Sequence, residues 1–294
     1  MDVLIPRTLD EALEMKAERP ESVPIAGGTD LMVELNFGRL RPPAMMEVSR
    51  LGELREFRKE NGSFFLGSGV TYMTIERELP EFLPLVQASR TVGSPQIRNR
   101  ATVGGNLGTA SPAGDALPVL AVYDAEIVMA AAGGRTRSLP WNEFLTGPKK
   151  NALQPGELIL GARWDVPRGP GSFSKIGTRN AMVISVAGLC LQVEEDERGV
   201  RVALGSVAPT IVRAPEAEAF VARAMEGAGA WDDPRSTVSP AVVEEFGDRV
   251  ATAASPIDDV RGTAAYRRHA VAVLARRALS WALLHRTAGA VGEG

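Results

Sequence analysis

The chain has 294 residues, 45% of them apolar, which predicts two domains, or one large domain with an appendage, built around a sizeable core. Its 33 basic and 36 acidic residues give a net charge of −3, so the chain has no overall positive potential that would attract nucleic acid or anionic lipid. One cysteine, Cys190, and two histidines, His269 and His285, exclude an internal disulfide, a multi-thiolate cluster and a histidine-rich metal site. A redox role therefore requires an organic cofactor.

Apolar runs in the chain are shorter than the roughly 20 residues of a membrane-spanning helix. The first residues, MDVLIPRTLDEALE, lack the basic region and apolar block of a signal peptide. We expect a soluble cytoplasmic protein.

The N-terminal 60 residues alternate short β-rich runs with helical patterns, which predicts small α/β units. Thr8 is the expected N-cap of the first helix, with Glu11 as its capping-box partner. Asn61 and Gly62 predict a tight hairpin turn between two strands.

The middle of the chain predicts helices at TYMTIEREL, PEFLPLVQAS and DALPVLAVYDA and a strand at AEIVMAA. Strands are then expected at ELILGARWDV, AMVISVAGLCLQVEE and VRVALGSVA, the last two as an antiparallel pair. The segment from Pro167 to Gly171 suits neither regular structure and predicts a boundary.

Helical patterns fill the chain beyond Ala208. The last helix has one packing face, formed by residues at helical spacing: Val271, Leu274, Ala278 and Ala282. Its arginine pairs, 267–268 and 276–277, point to opposite sides, which favours a solvated helix over a basic binding stripe.

A first candidate site is the run Ile25, Ala26, Gly27, Gly28, Thr29, Asp30, in which an apolar segment ends in two glycines before a helical pattern. Such a turn presents backbone N–H groups to an anionic phosphate without a Cβ in the way. The alternative is an ordinary strand-to-helix turn with Thr29 or Asp30 as N-cap.

A second candidate is the run of small residues from Thr102 to Asp115. Small residues let backbone pack closely against a ligand, and Thr102, Asn106, Ser111 and Asp115 supply hydrogen-bonding groups. The alternative is a glycine-rich loop with no special role. Two such segments together favour a dinucleotide, which has a diphosphate and two distant rings to hold.

Other chemistry is not indicated. The chain has no GxxxxGK[ST], HExxH or GxSxG motif, and Gly67-x-Gly69 lacks the third glycine of a Rossmann fingerprint. Cys190 lies in an apolar strand pattern and is expected to be a core residue rather than a nucleophile.

Taken together, AGGTDLM at Ala26 to Met32 and IRNRATVGGNLGTASPAGDALPVLAVYDAEI at Ile97 to Ile127 resemble the FAD-binding medium subunit of molybdenum hydroxylases, the family of xanthine dehydrogenase and aerobic carbon monoxide dehydrogenase. FLTGPKKNALQPGELI, FSKIGTRNAMVIS and the C-terminal tail extend the resemblance over almost the whole chain.

This resemblance implies an α+β fold. Residues 1–172 are expected to form a two-subdomain FAD domain of the vanillyl-alcohol-oxidase and MurB (PCMH) type, with subdomains of about 1–60 and 61–172. Residues 173–294 are expected to form a smaller domain with a three-stranded antiparallel sheet and helices.

The resemblance also implies the residues that bind FAD, while no catalytic side chain and no metal ligand are expected. Lys175, if it lies near the flavin, is a candidate for stabilising the reduced anionic ring. Attachment is expected to be non-covalent, because the N-terminal domain has no histidine. The implied contacts are Pro24, Ile25, Ala26, Gly27, Gly28, Thr29, Asp30, Leu31, Thr102, Val103, Gly104, Gly105, Asn106, Ser111, Asp115, Ile159 and Lys175.

By the same resemblance, the molybdenum cofactor and the [2Fe-2S] clusters belong to a large and a small partner subunit, in a heterotrimer that pairs into a dimer of heterotrimers. The chain is expected to take electrons from the [2Fe-2S] partner and pass them to an external acceptor. Two alternatives are a self-contained flavin reductase or oxidase and a redox-inactive nucleotide-binding assembly module. The substrate and the acceptor are not indicated by any motif.

Overall fold

The structure, a computed structural model, describes residues 1–292, with side chains from 1 to 288. The strands are β1 Asp2–Leu4, β2 Val23–Ile25, β3 Ala44–Glu47, β4 Phe57–Glu60, β5 Ser63–Gly67, β6 Glu126–Ala131, β7 Arg135–Pro140, β8 Leu145–Gly147, β9 Lys150–Asn151, β10 Leu158–Asp165, β11 Gly171–Ile176, β12 Ala187–Glu194, β13 Gly199–Gly205 and β14 Val212–Arg213. The helices are α1 Leu9–Glu18, α2 Leu31–Asn36, α3 Tyr72–Glu78, α4 Leu83–Thr91, α5 Pro95–Arg98, α6 Val103–Thr109, α7 Leu117–Val122, α8 Trp141–Phe144, α9 Pro215–Gly227, α10 Pro240–Ala253 and α11 Ala264–Gly292.

The chain divides into two compact units that are not contiguous in sequence. Unit 1 contains residues 1–80, 92–111 and 124–166, and unit 2 contains residues 81–91, 112–123 and 167–294. The expected domain limits of 1–172 and 173–294 stay a prediction.

Unit 1 contains a parallel three-stranded sheet, in the order β1-β3-β2, and an antiparallel five-stranded sheet, in the order β4-β5-β10-β6-β7. The predicted hairpin joins β4 to β5, with Asn61 and Gly62 both at positive φ, 51° and 85°. A core of apolar side chains from α1, β3, β6 and β10 includes Leu13, Met46 and Leu158.

The first helix begins as predicted only in part. Thr8 is its N-cap and accepts a hydrogen bond from the Glu11 N–H at 3.2 Å. The Glu11 carboxylate, however, accepts from the N–H of Arg7 at 2.7 Å, one residue before the position that a capping box requires.

Unit 2 is built on an antiparallel sheet in the order β11-β12-β13-β14. β12 and β13 form the predicted antiparallel pair. The sheet has four strands rather than three, because Val212 and Arg213 add a two-residue strand along Ala203 and Leu204 of β13. Helices α4 and α7 also pack against this sheet. The chain is thus a mixed α and β protein in both units.

The last helix confirms its predicted packing face, because the side chains of Val271, Leu274, Ala278 and Ala282 are buried in the core of unit 2. The prediction of a solvated helix is wrong at Arg267, whose side chain is 3% exposed. Its guanidinium donates to the carbonyls of Val186 and Ser206 and to the Asp259 carboxylate, at 2.6 to 2.8 Å. These acceptors offset the cost of burying the charge.

Cys190 lies on β12, is fully buried, and is a core residue as predicted. Burial raises the pKa of its thiol well above the usual value. Among the described residues, no helix combines the length and the apolar character that a membrane span requires.

Candidate functional site

The first glycine-rich segment forms a turn between β2 and α2 in unit 1. Ile25 ends β2 beside Glu47 of β3, and the chain then turns through Gly28 at a φ of +74°. A Cβ at Gly27 would lie 2.0 Å from the carbonyl oxygen of Arg100. Both glycines are therefore required, Gly28 by its conformation and Gly27 by close approach of another segment.

This turn contains a row of free backbone donors. Across the described part of the chain, the N–H groups of Gly27, Gly28, Thr29 and Asp30 have no hydrogen-bond acceptor. Asp30 is the residue before α2, and its side chain makes no cap hydrogen bond. Successive unpaired N–H groups in a turn form a concave site for an anion.

The second segment uses its backbone donors within the protein. Thr102 is the N-cap of α6, and its hydroxyl accepts from the Gly105 N–H at 3.0 Å. The N–H groups of Val103 and Gly104 donate to the carbonyls of Val70 and Ser68, at 3.3 and 2.9 Å. A Cβ at Gly104 would lie 2.5 Å from the Ser68 carbonyl oxygen, so this glycine permits close backbone packing.

Two side-chain hydrogen bonds connect the first segment to the second segment and to Arg100, which lies just before it. The Arg100 Nε donates to the Gly27 carbonyl at 3.0 Å. The Thr109 hydroxyl donates to the Asp30 carboxylate at 3.1 Å. The fold thus brings the two glycine-rich segments together in unit 1, as a single dinucleotide site would need.

Further predicted contacts lie on and around α6. The Oδ1 of Asn106 is buried and has no hydrogen-bond partner among the described residues. Ile159, 9% exposed on β10, has its Cδ1 4.0 Å from the position of a Cβ at Gly108. Pro24 lies on β2 and Leu31 begins α2. Ser111 is the last residue of the part of unit 1 that spans residues 92–111.

Asp115 and Lys175, the two other predicted contacts, lie in unit 2 and form an ion pair. The Lys175 Nζ donates to the Asp115 carboxylate at 2.6 Å and to the carbonyls of Thr91 and Val183 at 2.9 and 3.1 Å. Burial raises the pKa of the Asp115 carboxyl, and the charge and hydrogen bonds of Lys175 and Thr91 oppose that rise. All three ammonium donors therefore have acceptors within unit 2.

Sequence reasoning missed Arg100, although it lies inside the second quoted motif. The only indication in the sequence was that Arg100 lies two residues before Thr102. That position gives no information about a contact with Gly27, which is 73 residues away. Within the described residues, no group of three or more His, Cys, Asp and Glu side chains is placed to hold a metal ion.

Comparison with known families identifies this arrangement. Residues 1–164 match the family described as FAD binding domain in molybdopterin dehydrogenase. Residues 172–282 match the CO dehydrogenase flavoprotein C-terminal domain. The chain belongs to this family of flavoproteins, so it is a component of an oxidoreductase with FAD as its cofactor.

Individual relatives agree. The chain is 34% identical over 206 residues to the nicotinate dehydrogenase FAD-subunit of Eubacterium barkeri, covering 66% of this chain and 69% of the relative. It is 28% identical over 291 residues to a putative xanthine dehydrogenase FAD-binding subunit of Escherichia coli, covering 94% of each.

Solved structures agree on the fold. Quinoline 2-oxidoreductase from Pseudomonas putida 86 matches with a TM-score of 0.86 at 20% identity, over 98% of both chains. Reconstituted CO dehydrogenase from Oligotropha carboxidovorans matches with a TM-score of 0.85 at 21% identity, over 97% of this chain and 98% of that one.

Proposed function

We propose that this chain is the electron-transfer subunit of a heteromeric, cytoplasmic molybdenum hydroxylase. It takes electrons from a small [2Fe-2S] subunit and passes them to an external acceptor. A large partner subunit holds the molybdenum cofactor, and the three chains form a heterotrimer that pairs into a dimer. The relatives are named for different substrates, nicotinate and xanthine. That variety supports substrate choice on a partner chain.

The observation that carries the proposal is the junction of the two glycine-rich segments in unit 1. Four backbone N–H groups, from Gly27 to Asp30, are free to bind a diphosphate. The buried Oδ1 of Asn106 is an acceptor without a donor, which suits the N–H of a flavin ring. These groups fit a non-covalent FAD in a domain of the PCMH type.

We assign binding and orientation to the chain's own residues. The free N–H donors come from the segment Pro24 to Leu31. The other proposed FAD contacts are Thr102 to Asn106, Ser111 and Ile159. Bound FAD would supply the redox chemistry, which the protein's own side chains do not provide. No side chain of the turn needs to act as an acid or a base. The roles of Asp115 and Lys175 toward FAD stay predictions from the resemblance.

The experiment is purification of the full chain alone and together with the products of neighbouring genes. Denaturing release should yield about one FAD per chain in both preparations. Substrate should bleach the flavin absorbance only when the partners are present. Substrate-driven turnover by the isolated chain would instead favour a self-contained reductase or oxidase. A colourless chain that FAD does not reconstitute would refute the proposal.

A further inference from the structure

The strongest unassigned feature lies beside the turn from Gly27 to Asp30. Arg100 contacts this turn twice. Its carbonyl oxygen approaches the Gly27 Cα so closely that a Cβ there would lie 2.0 Å away, and its Nε donates to the Gly27 carbonyl at 3.0 Å. The backbone of Arg100 is therefore packed against the turn, and the hydrogen bond of its Nε keeps the guanidinium beside Gly27.

Most of this guanidinium is unused. A guanidinium has five N–H donors, and only the one on Nε is engaged. The terminal nitrogens form no hydrogen bond or ion pair with any residue that the structure describes. The side chain is exposed, so a ligand at the turn has access to it.

The charge balance of the turn favours a cation beside the bound diphosphate. A diphosphate is an anion, and Asp30, whose carboxylate accepts from Thr109, already adds a negative charge to the turn. Backbone N–H groups contribute dipoles but no net charge. Lys175 does not meet the need, because Asp115 pairs with it at 2.6 Å in unit 2. Arg100 is the arginine held on the turn itself.

We infer that Arg100 binds the FAD diphosphate through its terminal nitrogens while its Nε holds the Gly27 carbonyl. This inference rests on the proposed function. The planar fork of arginine matches two phosphate oxygens in a way that a lysine ammonium does not. Arg100 therefore selects the dinucleotide FAD over riboflavin, which has no phosphate.

The test compares flavins that differ in phosphate content. Apo full-length chain is titrated with FAD, FMN and riboflavin, for the wild type, Arg100→Gln and Arg100→Lys. Arg135→Gln is the matched control. Arg135 is also an exposed arginine of unit 1 whose Nε donates to a carbonyl, that of Ala132, but it lies in the β6–β7 hairpin.

Arg100→Gln should raise the Kd for FAD at least tenfold and change that for riboflavin less than twofold. Arg100→Lys should recover part of the FAD affinity, and its binding should stay dependent on salt. Arg135→Gln should bind all three flavins as the wild type does.

Equal losses for FAD and riboflavin in the Arg100 variants would show that the side chain does not act through the diphosphate, and would overturn the inference. If FAD binding by Arg100→Gln kept the salt dependence of the wild type, the side chain would only hold the turn, and the inference would also fail. Unchanged FAD affinity in both variants would also overturn it. In each case FAD binding by the wild type keeps the proposed function intact. A wild type that binds no flavin would refute the proposed function itself.

Discussion

Thr109 donates a hydrogen bond to Asp30 over 3.1 Å and so ties together two segments that are 79 residues apart. The carboxylate that precedes α2 faces α6 instead of capping its own helix. This bond holds the turn with the free donors against the second glycine-rich segment.

We expect Thr109→Val to weaken FAD binding roughly threefold to tenfold, because a hydrogen bond to a charged group is lost with little change in shape. Flavin fluorescence titration measures the effect. Thr136→Val, an exposed threonine on β7, is the control and should leave the Kd unchanged. A Thr109→Val chain with wild-type affinity would show that the bond does not position the turn.

Gly27→Ala tests the close approach of Arg100 to the turn. The new Cβ would lie 2.0 Å from a backbone oxygen, so one of the two segments must move. We expect a loss of about 1–3 kcal/mol in the free energy of unfolding and at least a tenfold rise in the Kd for FAD. Gly52→Ala, where no atom lies within 4 Å of the added Cβ, should change neither quantity. Wild-type behaviour of Gly27→Ala would rule out the contact.

We expect the stability of unit 2 to depend on both partners of the ion pair between Asp115 and Lys175 being present. Each side chain is 8% exposed, so Asp115→Asn leaves a buried ammonium without its anion. We expect a loss of about 3–5 kcal/mol by urea unfolding, with much of it recovered in Asp115→Leu/Lys175→Met.

The control for that pair is Asp232→Asn, which removes a carboxylate exposed by 69% from its pair with Arg198. Its effect should stay within about 1 kcal/mol. If Asp115→Asn and Asp232→Asn lower the free energy of unfolding by the same amount, burial does not explain the contribution of the Asp115 pair to stability.

We expect Asp259 to make the stability of unit 2 depend on pH. Burial alone would raise the pKa of its carboxyl, but hydrogen bonds from Arg261 and Arg267 lower it below the usual value. A carboxyl whose pKa is lower in the folded state stabilises the fold at pH values above its unfolded-state pKa of about 3.9. This stabilisation is lost as the pH falls from there toward the folded-state pKa.

Asp259→Asn should therefore cost about 1–3 kcal/mol at pH 7. The difference from the wild type should shrink at pH 3. Urea unfolding at both pH values measures it, with Asp232→Asn, in an exposed pair with Arg198, as the control. A difference that is equal at the two pH values would mean that the charge of Asp259 is not responsible.

Much of this fold follows from local pattern. Alternation and turn residues predicted the β12–β13 pair and the hairpin at Asn61, because side chains and turn geometry act over a few residues. The same patterns cannot report contacts between distant segments. They therefore missed the hold of Arg100 on Gly27, and they assigned Arg267 to solvent although it binds the carbonyls of Val186 and Ser206.

The tertiary structure decides whether a glycine-rich segment offers free donors. The sequence predicted backbone N–H donors in the first segment but did not indicate whether the N–H groups of the second segment are free. In the structure, those of Val103 and Gly104 are used by Val70 and Ser68, while those of the first turn are free. Which N–H groups remain free depends on tertiary packing, which spacing along the chain does not encode.

The interleaving of the two units limits how such proteins can recombine. Helices α4 and α7 belong to unit 2 and pack on its sheet, although both precede residue 166 in the chain. A gene crossover near codon 167 would pack these helices, with buried side chains such as Leu85 and Leu117, against a sheet from another parent. Successful natural or engineered chimeras are therefore expected to inherit α4, α7 and the C-terminal sheet from one parent.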